Sequence, residues 1–171
     1  MTIRMKPINT SNHGKDIALN QLAPDFELMD TQGKLVKLTD FREKKNVVLA
    51  LNRGFMWPFC RRHMAQLRLD YQEFVSRDTE VIIIGPDGPS AFKRTWEMED
   101  MPMVGLADPG SKVADRYHQK INLLKLGRMP ALMVIDKNGI IRYVHYGKSM
   151  SDIPENEEVI NILNEIINQT K

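Results

Sequence analysis

The chain has 171 residues, 42% hydrophobic and 27% charged, with 24 basic side chains against 22 acidic ones. One core of this size buries roughly 70% of the unfolded chain's surface without staples. The near-neutral balance leaves no footprint for nucleic acid or an acidic membrane, and a single cysteine closes no internal disulfide.

No apolar run approaches the roughly 18 residues of a membrane helix. The first twenty residues lack a signal-peptide stretch. Arg4, Lys6 and Lys15, with no acid before Asp16, faintly echo a transit peptide. Sparse arginine and the absence of an amphipathic face favour a polar arm or an extra edge strand. The reading is therefore a cytoplasmic protein with an N-terminal arm, residues 1–20, and one domain over 21–171.

In chain order, DFELMD and LVKL are short alternating runs joined at Gln32-Gly33, which predicts a hairpin. VVLAL from Val47, VIIIG from Val81 and ALMVID from Ala131 are continuous apolar runs of strand length, suited to burial on both faces. From Cys60, an apolar stripe through Met64, Leu67, Tyr71, Phe74 and Val75 predicts one helix that ends near Arg77. Further helices are predicted over Pro89 to Met98 and Lys112 to Tyr117, with a short strand between them. Lys137-Asn138-Gly139 joins ALMVID to IIRYVHY as a second hairpin. Asp152, Pro154 and a run of acids then open a last helix, striped by Val159, Ile160, Leu163, Ile166 and Ile167. The order predicts an α/β fold: a central mixed β-sheet with helices on both faces and an N-terminal β-hairpin.

Ligands in such sheets favour the carboxyl ends of the parallel strands. Cys60, the only cysteine, lies just past the first of those ends, at the start of a helix. Unpaired N–H groups and the helix dipole there favour thiolate, and Arg53, Arg61, Arg62 and His63 are near in sequence. The spacing therefore predicts a thiol that ionises below the ~8.5 of a free cysteine. Against this, free cysteine is usually a small buried hydrophobe, and Cys60 is in phase with the apolar stripe.

LAPDFEL, RGFMWPFCRRHMAQL and MPALMVIDKNGIIRYVHYG together resemble the peroxiredoxin branch of the thioredoxin-like superfamily, the alkyl hydroperoxide reductase and thiol-specific antioxidant group. The resemblance runs from about Leu22 to Asn168, with Asp87 where relatives leave their third strand. It implies a thioredoxin-like fold and places Cys60 at the peroxide-attacking cysteine. The family's P-x-x-x-T-x-x-C pattern has Arg53 at the proline and Trp57 at the threonine. The family arginine six residues before the closing aspartate, Asp136, corresponds to Pro130. The same loop is similar to R-G-x-W-C-P-Y-C relatives, with Trp57 at the first cysteine. Pro130 then matches the thioredoxin-type proline facing the site, which implies a cis Met129–Pro130 bond.

The resemblance implies a one-cysteine thiol peroxidase acting on hydroperoxides. An external thiol, or a thioredoxin- or glutathione-type reductant, would restore it, with no cofactor or metal and with homodimerisation left open. Arg53 and Arg128 are the candidate cations for the thiol and the peroxide. Monothiol exchange and a non-catalytic thioredoxin-fold binding module are the alternatives. His13, His63, His118 and His145 have no metal-ligand spacing. His63 is read as a solvated helix residue, and His145 and Tyr146 as packing residues. The eleven methionines are dispersed core filling.

Overall fold

The computed structural model describes residues 17–125 and 127–171, so most of the N-terminal arm lies outside the described residues. In the first turn the Asp30 carboxylate accepts the N–H groups of Gln32 and Lys34, and Gly33 takes φ +81°. Glycine adopts that left-handed value without a Cβ penalty. The turn joins β1 (Glu27–Met29) to β2 (Leu35–Lys37) as the expected antiparallel hairpin.

The apolar runs become β3 (Asn46–Leu51) and β4 (Thr79–Gly85), both buried along their whole length, followed by β5 (Val104–Ala107). β4 pairs parallel with β3 and β5. The pairs β6 (Ile121–Asn122) and β7 (Gly127–Arg128) are too short to leave a periodic signal in the sequence. β8 (Ala131–Ile135) runs antiparallel to β3 and to β9 (Ile141–Tyr146). The central sheet is thus mixed, in the order β5-β4-β3-β8-β9.

Side chains alternate along a strand, so each strand feeds two cores. Val48 and Ala50 face a core with Met64 and Leu67 of α1 (Pro58–Leu69), Phe92 and Trp96 of α3 (Pro89–Met98), and Val159 and Leu163 of α5 (Asn156–Gln169). Val47, Leu49 and Leu51 face the other core, with Val113 of α4 (Lys112–Arg116) and Val36 of the hairpin. Helices therefore cover both faces.

The single helix predicted from Cys60 towards Arg77 is two. α1 stops at Asp70, and α2 (Tyr71–Val75) resumes after it. Aspartate is a weak helix former, and the Asp70 carboxylate accepts Asn156 Nδ2 at 2.9 Å, which docks the start of α5 at the break. Val75, read as part of the stripe, is exposed. The end of the N-terminal arm lies along β9: Asn20 donates to the Ile141 carbonyl at 2.9 Å and Leu22 bridges Ile140. No helix among the described residues is long and apolar enough to cross a membrane.

Candidate functional site around Cys60

β3 and β4 end side by side, and the loops after them meet. In the β3 loop, Asn52 Oδ1 accepts the Gly54 N–H, and Gly54 takes φ +128° with the Asp87 carboxylate against it. A side chain there would be strained by the backbone angle and crowded by Asp87. From the β4 loop, Asp87 Oδ2 accepts the Phe55 N–H at 2.9 Å and so pins the cysteine loop to the neighbouring strand. Pro58 then starts α1 at its first position, Trp57 being the N-cap, and Cys60 falls in the first turn.

The thiol is 1% exposed. Its Sγ accepts the Arg53 backbone N–H at 3.3 Å. The Arg53 side chain does not turn towards solvent. Its Nε donates to the Arg128 carbonyl, Nη2 donates to the Lys125 carbonyl, and the guanidinium lies 4.0 Å from the centre of the Trp57 ring. That stacking geometry is a cation–π contact.

Burial pushes the Cys60 thiol up from its ordinary value. The Arg53 N–H, the Arg53 charge and the Gly54 N–H pull it down, and the Asp87 carboxylate adds a small upward push. The lowered pKa expected from the helix start is therefore corrected: removing the thiolate from water outweighs the donors around it. Arg61 and Arg62 are exposed on α1.

His63, expected in solvent, is buried, and burial lowers its pKa to about 4. Its Nε2 has no hydrogen-bond partner. Spacing carries a signal for this, since Cys60, His63, Met64 and Leu67 lie at offsets of three, four and seven, one face of a helix. His63 and Cys60 share the lining of a small cavity with Pro130, His145, Asp152 and Ile153. At about 10 Å³ it is the scale of one water molecule. His145, read as a packing residue, also carries a polar contact: its Nε2 lies 2.9 Å from Asp152 Oδ1. Tyr146 donates its hydroxyl to the Tyr117 carbonyl.

Cys60, Arg53, Trp57 and Pro130 are thus brought together. Arg128 joins through its carbonyl, while its guanidinium pairs with Asp115 at 2.7 Å. Met129–Pro130 is trans, which corrects the cis bond implied by the thioredoxin-type match. Trans is the intrinsically favoured form of an X–Pro bond. Sequence reasoning missed Asp87 as the loop's anchor. It also missed Gln119, whose buried amide donates to the Leu51, Asn52 and Met129 carbonyls and holds the end of β3 against the Pro130 loop. Among the described residues no three histidine, cysteine or acidic side chains converge as a metal site.

Comparison with known proteins adds to this geometry. The AhpC/TSA family profile matches residues 19–144. Peroxiredoxin Bcp of Bacillus subtilis (strain 168) is 30% identical over 128 residues, covering 72% of this chain and 81% of that protein. The chloroplastic peroxiredoxin Q of Gentiana triflora is 30% identical over 131 residues, 75% of this chain. The match spans only 59% of the length of that plant relative. Among solved structures, peroxidoxin BcpB from Mycobacterium tuberculosis superposes with a TM-score of 0.76 at 22% identity, over 86% of this chain and 97% of that one. The reduced 2-Cys peroxiredoxin of Plasmodium vivax gives 0.77 at 20% identity, over 89% and 83%. At those identities the superpositions speak to fold, which is thioredoxin-like.

Proposed function

Because the chain belongs to the AhpC/TSA family, we propose that it reduces hydroperoxides through Cys60 and is returned to the thiol by an external thiol. The observation that carries this is the placement of Cys60. It stands in the first turn of α1, beyond the carboxyl ends of the parallel strands, with its sulfur held by the Arg53 N–H. Sulfur attacks the terminal peroxide oxygen, the O–O bond breaks, and a sulfenic acid and an alcohol or water result. A thiol, free or on a thioredoxin- or glutathione-type protein, then displaces water to form a mixed disulfide, and a second thiol releases Cys60. These 171 residues hold no second cysteine, so no internal disulfide enters this cycle.

The loop modifies the reaction. Trp57 offers one indole N–H, a donor only, where a threonine hydroxyl would both donate and accept. Pro130 supplies no charge. The Arg53 guanidinium is spent on the Trp57 ring and on the Arg128 and Lys125 carbonyls, so it is not turned to a peroxide at the sulfur. The result is a thiol that oxidises slowly.

The burial of Cys60 and its raised pKa favour a second reading, a non-catalytic binding module on the same scaffold. Hydrogen peroxide consumption with dithiothreitol, for the native protein and Cys60→Ser, separates the two. Consumption that disappears in Cys60→Ser is the expected result. No difference between the two proteins, with no dimedone adduct on Cys60 after peroxide, sinks the peroxidase reading.

A further inference from the structure

The inner side of Cys60 carries two features that the cycle above leaves unused. One is the cavity, with room for about one water molecule or one bound oxygen. The other is His63 Nε2, buried in the lining of that cavity and without a partner. Buried polar atoms are paired in the great majority of cases, so an unpaired one calls for a physical reason.

Several other polar groups of the lining are engaged. His145 Nε2 is held by Asp152, and a second Asp152 oxygen accepts the Lys148 N–H. Asn52 spends its oxygen on the Gly54 N–H and its amide on Met64 Sδ. That leaves His63 Nε2, buried and unpaired on a residue that lines the space with Cys60, as the group available to an oxygen there. Burial keeps the ring neutral at neutral pH, so one ring nitrogen carries a lone pair.

We propose that this cavity seats the oxygen that Cys60 acquires, and that His63 Nε2 accepts the hydrogen bond of the resulting sulfenic hydroxyl. The inference rests on the peroxidase reading. In Cys60–SH plus R–O–OH, the S–O bond forms as the O–O bond breaks, and sulfur gives two electrons to the peroxide. The thiol proton ends on the leaving oxygen as R–OH. The terminal oxygen keeps its own proton and becomes Cys60–S–O–H, with that proton donated to His63. One water molecule fits the same place in the thiol state, and oxidation exchanges it for the hydroxyl. His63 thereby prolongs the sulfenic state that an external thiol has to find.

The test is the lifetime of the sulfenic acid. The native protein, His63→Leu and His63→Gln are each oxidised with one equivalent of hydrogen peroxide. Dimedone is added after increasing delays, and the adduct and any doubly oxygenated protein are read by intact mass. Loss of one hydrogen bond should shorten the sulfenic lifetime in His63→Leu about three- to tenfold. His63→Gln, which keeps an acceptor, should recover most of it. Independently, the Nε2 nitrogen-15 resonance of His63 in the native protein should shift on oxidation. That reading decides alone if His63→Leu does not fold. Equal lifetimes in the native protein and His63→Leu, or an unmoved Nε2 resonance, overturn the role of His63 and leave the peroxidase reading standing. A native protein that never forms the adduct overturns both.

Discussion

Asp136 and His63 are both 7% exposed polar side chains, and they sit near opposite ends of β3. Asp136 is fully engaged. Its Oδ1 accepts the Asn138 and Ile140 N–H groups and its Oδ2 takes Arg142 Nε at 2.6 Å. His63 leaves Nε2 with nothing. Equal burial therefore means different things. Around Asp136 the polar atoms close a hairpin and point inward to one another. Around His63 they leave one ring nitrogen unpaired on a residue that lines a small cavity with the thiol. A saturated buried polar group marks architecture, and an unsaturated one marks a place where chemistry has room.

Breaking the saturated end should have the larger effect. Asp136→Ala removes the acceptor of two backbone N–H groups and of Arg142 Nε, three hydrogen bonds in all, and should destabilise the fold by about 3 kcal/mol. A urea titration reads this, and the dimedone reactivity of Cys60 in the folded variant should stay as it was. Lost reactivity without lost stability would erase the contrast between the two ends.

Acid sharpens the comparison from the other side. His63 has a folded pKa of about 4 against an ordinary 6.5, so the unfolded chain binds its proton first as pH falls. The stability associated with the neutral ring is present above 6.5 and is lost as pH drops from there towards 4. By pH 5 the loss should reach about 2 kcal/mol, and His63→Leu should abolish that part of the acid dependence. A His63→Leu protein with the native acid profile would place the proton elsewhere.

Trp57→Cys removes the ring over Arg53, which should cost about 1 kcal/mol of stability. It also places a second thiol three residues before Cys60, in a C-x-x-C pattern. Dithiol exchange should appear, measured as reduction of insulin disulfides, and its absence would mean that the loop cannot bring the two sulfurs together. The smallest change is expected from Asp87→Ala. It removes a negative charge and the anchor of the Phe55 N–H, so the thiol pKa should move down while the fold persists. Thiolate absorbance against pH reads it, and an unmoved or raised titration would discount Asp87.

What was legible in the sequence follows the range of the interactions. The 131–146 hairpin could be read because Asn138-Gly139 acts within a few residues of itself. The place of Cys60 could be read because a strand followed by an amphipathic helix fixes where the loop between them lies. Its burial and raised pKa could not, because residues 130, 145 and 152, which line the cavity with it, and Asp87, whose charge acts on it, are far apart in the chain. The break at Asp70 likewise depends on Asn156 from the last helix. His63 is the instructive miss: its helical phase matched the buried stripe, yet residue type alone favoured solvent.

The two tryptophans give the molecule a pair of optical probes on different parts of the fold. Trp57 is half-buried on the loop that leads into the thiol helix, with the Arg53 guanidinium against its ring. Trp96 is sealed in the core between Phe55 and Phe92, its indole N–H fixed to the Met103 carbonyl. A soluble quencher such as iodide reaches the first and is shut out from the second. Emission recorded with and without it therefore distinguishes local opening of the thiol loop from melting of the whole domain, in the native protein and without an added label.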